Sequence, residues 1–314
     1  MLTHLIILLD DTSVSYCHYE MAEKKQRLID VDVLKRGIIW AMKENLNIQF
    51  IYPDYELPAA YEEAIESIDH TKIKPFGQAE GADVVVLSDW EQCMAESIAN
   101  QTCILRASRE ELYAHQDEVK TLLGRVQRLN IVLTDVETFT DTNIDAYRTW
   151  LESMADFLVE QYRSRHNVQL NLLTDRLILS EMNNCNAGDT NVTLAPNGKF
   201  YLCPAFYYDD ERQSIGDLEQ GLCIKNRQLL RLNHAPICRS CDAYQCRRCI
   251  WMNGRLTMDH NTPSHQQCVV AHLERNASRY LMEKLNAAGI RLENSHEVKE
   301  MKELDPFNIV NKWK

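Results

Sequence analysis

The sequence has no apolar run long enough to cross a bilayer. Its apolar runs, such as residues 5–9 and 84–87, fall far short of the roughly 20 residues a spanning helix needs. The opening MLTHLIILLDD has no basic segment and soon meets Asp10 and Asp11, which predicts no secretory signal and a cytoplasmic address. Positive charge is in deficit. There are 34 Lys and Arg against 46 Asp and Glu, a net of −12. Such a molecule repels nucleic acid at long range, so neither nucleic acid nor membrane is an expected partner. The motifs G-x-x-x-x-G-K-[ST], G-x-G-x-x-G and G-x-S-x-G are missing. Those absences weigh against a nucleotide kinase, a dinucleotide dehydrogenase and a standard serine hydrolase. There is no internal repeat and no low-complexity tract. What remains is ordinary globular composition, 45% apolar and 25% charged over 314 residues, enough for one large domain or two unequal ones.

The first part of the chain alternates. Residues 4–9, 47–52, 83–87, 102–106, 130–133 and 169–173 are short runs rich in Ile, Val and Leu, as strands buried on both faces should be. Helical patterns separate most of them, at residues 32–43, 58–68, 108–129 and 142–163. Asp30 or Asp32 can cap the first of these, Pro58 suits the first turn of the second, and Ser108 with Glu111 forms a capping-box pattern. Six strands alternating with helices predict a parallel α/β layout, an open sheet or a partial barrel. After residue 179 the pattern changes. Residues 181–265 are rich in Asn, Gly, Pro, Asp and Cys and poor in helical period, and a helix resumes over 266–288. The tail from residue 294 to 314 is mixed, and can dock back or fray.

Cysteine is the informative residue. Eight of the 11 cysteines fall between Cys185 and Cys268. That lobe holds nine Lys and Arg against eight Asp and Glu, so it is the one part of the chain that is not acidic. With a cytoplasmic address, such a cluster reads as metal binding before disulfides. The order is Cys185-x12-Gly198-x4-Cys203, a gap, Cys238-x2-Cys241-x4-Cys246-x2-Cys249, a gap, and Cys268. Each C-x-x-C lets two thiolates reach one centre from a tight turn. Iron–sulfur clusters, zinc and a set of buried small side chains all fit this count. Arg239, Arg247, Arg248 and Arg255 lie among the cysteines, where guanidinium groups would offset thiolate charge.

This arrangement resembles the SPASM domain, the C-terminal extension of many radical SAM peptide-maturing enzymes. Its usual pattern is C-x9-15-G-x4-C, a gap, C-x2-C-x5-C-x3-C, a gap and C. The first half fits, and the second is one residue short at two spacings. The phrase LAPNGKFYLCPAF also resembles that family's strand–turn–strand. The resemblance implies a partial six-stranded (βα)6 radical-SAM-like barrel at 1–180, a small cysteine-rich cluster-binding domain at 181–268, and a C-terminal helix and tail at 269–314. It implies one or two auxiliary 4Fe-4S clusters, with zinc as the alternative. One set would be Cys238, Cys241, Cys246 and Cys268. The other would be Cys185, Cys203 and Cys249, with a fourth ligand from Cys223, His234, His265 or a bound peptide.

A radical SAM enzyme also needs C-x3-C-x2-C after its first strand. Here the strand runs into DDTSVSYCHY. Cys17 matches the last cysteine, but Asp10 and Val14 stand at the other two positions. Aspartate is a poor ligand for such a cluster and valine is none, so SAM cleavage is not expected. The chain thus resembles the CXXX repeat peptide maturase family: radical-SAM-like proteins with a SPASM-type end and no catalytic cluster, encoded with a true radical SAM enzyme and a short precursor peptide. The expected role is accessory, by peptide binding or by electron relay through auxiliary clusters. The alternatives are a stand-alone metalloenzyme acting on a peptide and a structural zinc-binding adaptor. For catalysis by this chain itself, Asp10, Asp11, Cys17 and His18 are the candidates. Cys93 and Cys103 are expected in the core. Tyr201, Phe206, Tyr207 and Tyr208, which crowd around Cys203, are expected to shield a cluster or clasp a peptide.

Overall fold

The computed structural model describes residues 1–20, 26–182, 185–292 and 294–298. The tail expected beyond residue 298 lies outside the described residues. The chain forms two compact units. Residues 1–88 and 186–231 make the first, and residues 89–185 and 232–314 the second.

The first unit opens with β1 (His4–Leu8), α1 (Val31–Lys43), β2 (Asn47–Ile51), α2 (Ala59–Ile65), β3 (Thr71–Pro75) and β4 (Val84–Leu87). The four strands pair in parallel, in that order. Leu5, Ile7 and Leu8 are fully enclosed and Ile6 nearly so, which is why β1 reads as an unbroken apolar run. Asp30 caps α1 by accepting from the backbone N–H groups of Asp32 and Val33. The helix buries Leu34, Ile38 and Ala41 in the core shared with β1 and β2. Gly37 permits this close approach, since a Cβ there would stand 2.5 Å from Cδ2 of the buried Leu194. Gly37→Val is expected to cost about 1–3 kcal/mol by overpacking. Urea unfolding checks it, and an unchanged midpoint would mean that the Leu194 side chain yields freely.

The second unit begins with β5 (Thr102–Ala107), α3 (Arg109–Ala114), α4 (Gln116–Leu123), β6 (Arg128–Leu133), α5 (Ile144–Arg163), β7 (Gln169–Leu170) and α6 (Asn171–Ile178). Strands β5, β6 and β7 pair in parallel. The Ser108–Glu111 capping box forms as its sequence predicts. The single helix expected over 108–129 does not. It breaks at His115, whose backbone is non-helical, and the chain is already a strand by Arg128. The strand expected over 169–173 stops at Leu170 for a specific reason. The Asn171 side chain accepts from Ile131 N and donates to Ile131 O, taking the place of a backbone partner for β6.

The chain returns to the first unit as β8 (Asn191–Leu194), β9 (Phe200–Tyr201), α7 (Pro204–Asp209), β10 (Gly216–Asp217) and β11 (Gly221–Leu222). Strand β8 pairs parallel to β1 and antiparallel to β9, giving the strand–turn–strand expected around Asn197-Gly198. It then completes the second unit with α8 (Ile250–Thr257) and α9 (His265–Ala287). Helix α9 packs along α5 and α6. Among the described residues no helix is long and apolar enough to cross a membrane.

Candidate functional site

In the first unit the loop after β1 is tied down at nearly every position. Asp10 is fully buried. One carboxylate oxygen accepts from the Thr12 backbone N–H at 2.8 Å and from the Thr12 hydroxyl at 2.7 Å. The other accepts from the Tyr55 hydroxyl at 2.9 Å. Burial, with the Asp10 carboxylate adding to it, pushes the Tyr55 phenol up to about 12. The Asp10 backbone N–H donates to Ser13 Oγ, which in turn donates to Ile51 O at the end of β2. The Val14 backbone N–H donates to Tyr52 O. The loop is therefore held by hydrogen bonds within itself and to Ile51, Tyr52 and Tyr55, with Asp10 committed to these bonds and Val14 offering no side-chain donor atom to a metal. These residues do not fit a SAM-binding cluster.

Asp11 is buried too, and it is paired. Arg27 Nε donates to one of its oxygens at 3.0 Å and the Tyr207 hydroxyl to the other. Arg27 also reaches Glu211 at 2.7 Å. Neither Arg27, Tyr207 nor Glu211 is suggested by any motif around Asp11, since Arg27 lies 16 residues away along the chain and Tyr207 lies 196 away. Cys17 and His18 are half-buried. The Tyr19 ring stacks on Tyr208 at 5.2 Å between centroids and 14° between planes. Burial pushes the Tyr19 phenol well up, and Tyr16, Tyr208, Cys17 and Cys203 add to the shift from around it. Cys17 and Cys203 thus face one aromatic cluster. Tyr201, Phe206, Tyr207 and Tyr208 are all buried. Cys223 is exposed.

In the second unit three cysteines gather. Cys238 is buried, and Cys241 and Cys246 are half-buried beside Met182, Leu232, Ala235 and Tyr244. Loss of water around its sulfur pushes the Cys246 thiol up, and the Cys238 and Cys241 thiols push it further. Backbone N–H groups point at two of the sulfurs. Ala243 N lies 3.5 Å from Cys241 Sγ, and Arg248 N donates to Cys246. Arg248 does so from the left-handed region, with φ of 40°. Such donors favour thiolates over thiols. His272, 2% exposed on α9, lies with Nε2 3.7 Å from Cys241 Sγ. Cys268 is buried one turn earlier on the same helix. Cys185 bonds through its backbone N–H to Arg247 O, which brings it against the Cys246–Cys249 turn. His234 and His265 are exposed. Arg255 lies over the Trp251 ring at 4.8 Å.

Among the described residues no three His, Cys, Asp or Glu side chains converge tightly enough to hold an ion as they stand. The donor chemistry nonetheless suits thiolates: the Cys238 and Cys241 thiols act on Cys246, N–H groups point at two of the sulfurs, and the walls are apolar. Bound metal there would release the thiols' protons.

Buried charges fix this loop to the helices. Asp242 accepts from Arg275 at 3.0 Å, and its backbone carbonyl accepts from Arg176 Nε at 2.9 Å. Glu274 accepts from the Tyr147 hydroxyl at 2.9 Å, and burial pushes its carboxyl up to about 7. The folded pKa lies above the unfolded value near 4.5, so the folded chain keeps a proton that the unfolded chain has lost. This contribution to stability is fully present below about pH 4.5 and is lost as pH rises through about 7. Glu274→Gln is expected to flatten that slope in urea unfolding measured from about pH 4.5 to about pH 8. An unchanged slope would place its source elsewhere.

Cys93 and Cys103 are fully buried in the second unit, with thiols pushed up to about 11 and about 12 by desolvation. They are core, as expected.

No protein-family model matches the chain, and no curated protein matches it. Solved structures do. One is a histidine-tagged form of anSMEcpe with bound AdoMet, with a TM-score of 0.57, 12% identity, and coverage of 93% of this chain and 100% of that one. A second, "Native anSMEcpe with bound AdoMet and Kp18Cys peptide", gives 0.59 at 12% identity over 91% and 99%. A third, with bound AdoMet and Cp18Cys peptide, gives 0.51 at 13% identity over 91% and 99%. At these identities the likeness is one of fold. This chain has an anSMEcpe-like α/β fold, a mostly parallel radical-SAM-type partial barrel with a cysteine-rich C-terminal region.

Proposed function

We propose that this chain is an accessory protein in the maturation of a ribosomally made peptide of the CXXX-repeat type. It works beside a true radical SAM enzyme and does not cleave SAM itself. The observation that carries this reading is the loop after β1. The fold is that of a protein solved with AdoMet, yet Asp10 and Val14 occupy two cluster positions and the Asp10 carboxylate is bound up by Thr12 and Tyr55. Peptide as the partner is supported by the two fold relatives solved with bound peptides.

On this reading residues 1–180 are the barrel, 181–268 the metal-bearing lobe, and 269–314 the closing helix and tail. Cys238, Cys241, Cys246 and Cys268 would hold one centre. Bound metal there would order the lobe, and as iron–sulfur clusters it would also supply one-electron transfer. The chain's own contribution is to shield the thiols with apolar side chains and to hold the loop by Asp242. The test is to add anaerobically purified chain to its partner enzyme with a synthetic CXXX-repeat peptide. Binding of the peptide and a changed yield of modified product are expected. No binding and an unchanged product would end the proposal.

A further inference from the structure

We infer that the cavity between α6, α9 and the chain that follows α9 is a binding site for an organic carboxylate with an apolar body, either the C-terminal residue of a peptide or a free small acid. It lies wholly in the second unit and depends neither on the peptide-maturation reading nor on bound metal. Its construction begins where α9 ends. Gly289 takes φ of 67°, a left-handed turn that glycine accepts without strain, and the chain folds back. The Ile290 backbone N–H donates to Leu285 O at 2.9 Å, and the His296 backbone N–H donates to Leu177 O on α6 at 3.1 Å. The returning chain thereby encloses, against the two helices, a cavity of about 540 Å³. Small-ligand sites usually fall between roughly 300 and 1,000 Å³.

The lining offers apolar surface and positive charge together. Met282, Ile290 and Leu292 give it apolar walls. Arg176, Arg279 and Arg291 line it as well, against Glu283 and Glu297. Arg176 shares the single Asp242 carboxylate with Arg275, so the local set is four arginines against three carboxylates. In a chain of net charge −12 this is a locally positive site, and it draws an anion where the molecule as a whole repels one. His296 is the second observation. Its ring lies beside Tyr244, at 6.5 Å between centroids and 21° between planes. Its Nε2 is shut from water and has no hydrogen-bond partner among the described residues. A buried polar atom left in that state costs free energy, and a carboxylate oxygen that accepts from Nε2–H removes the cost. Arginine and imidazole N–H donors over an apolar wall are the recognition chemistry of a carboxylate attached to a hydrocarbon group.

Three probes separate the elements of this site. N-acetyl-leucine copies a peptide C-terminus, 4-methylpentanoate is a free acid with a similar apolar body, and N-acetyl-leucinamide lacks the charge. The full chain, carbon-13 labelled at its Met and Ile methyl groups, is titrated with each and followed by methyl NMR. N-acetyl-leucine is expected to shift the Met282 and Ile290 signals with a Kd of about 1 mM, the range for a ligand of its size. N-acetyl-leucinamide should bind about tenfold more weakly. If 4-methylpentanoate binds as tightly as N-acetyl-leucine or more so, the site serves free acids; if it binds several-fold more weakly, the site serves a peptide terminus. Arg279 and Arg291 are exposed, so Arg279→Gln and Arg291→Gln should leave the rest of the spectrum unchanged. Each should weaken N-acetyl-leucine by about two- to fivefold. His296→Phe keeps a ring beside Tyr244 but has no N–H, and should weaken it by about tenfold. Equal binding of N-acetyl-leucine and its amide would overturn the proposal. So would acid binding that none of the three variants alters, or Met282 and Ile290 signals that no probe moves at many times the expected Kd.

Discussion

Replacing Asp242 with alanine is expected to cost about 3–5 kcal/mol. Asp242, Arg176 and Arg275 are 3%, 1% and 8% exposed. One carboxylate serves both guanidinium groups, at 3.3 Å to Arg176 and 3.0 Å to Arg275. Alanine removes that carboxylate and leaves two cations in a low-dielectric interior without it. The arginines come from α6 and α9, so the clamp joins two helices through the loop that carries Cys241 and Cys246. Asp242→Asn keeps the shape and loses the charge, and should fall between alanine and wild type. Urea unfolding followed by circular dichroism checks both. The metal content of Asp242→Ala should also drop, because the loop loses its anchor. A cost below about 1 kcal/mol would mean that the pairing contributes little beyond compensating its own desolvation.

Replacing Asp10 with alanine is expected to cost about 2–4 kcal/mol, since hydrogen bonds to a charged group contribute about 1.5–3 kcal/mol each and are not additive. Three donors lose their acceptor: the backbone N–H and hydroxyl of Thr12 and the hydroxyl of Tyr55. The same contacts explain a harder experiment. Asp10→Cys with Val14→Cys recreates C-x3-C-x2-C with Cys17, but it removes the bonds that set the loop. That double variant should be less stable than wild type and should gain no cluster and no SAM cleavage. Gain of a cluster there with SAM cleavage would show that only the two side chains separate this chain from an active enzyme.

Much of this was readable in the sequence where the cause is local. Strand β1 announces itself because both faces are covered, and the Ser108–Glu111 box because its bonds span three residues. Strand β3 escapes notice because Lys72 and Lys74 interrupt its apolar residues. In the fold Lys74 lies over the Tyr52 ring at 4.7 Å, so a charged side chain serves as cover. The helix boundary at His115 and the side-chain bonds of Asn171 depend on partners that no periodicity reports. The site divides the same way. Cysteine spacing marks the lobe and the missing cluster ligands. It cannot mark Arg176, 66 residues from Asp242, or His272, 31 residues from Cys241. The partners of Asp11 are equally remote, at Arg27 and Tyr207.

On the proposed function, a radical-SAM-type fold persists here without SAM chemistry. The direct test is to quantify 5′-deoxyadenosine from anaerobic protein incubated with SAM, dithionite and a CXXX-repeat peptide. The account predicts none above a protein-free control when this chain is alone, and formation only when a true radical SAM enzyme is added. Formation of 5′-deoxyadenosine by this chain alone, lost on replacing Cys17, would contradict it.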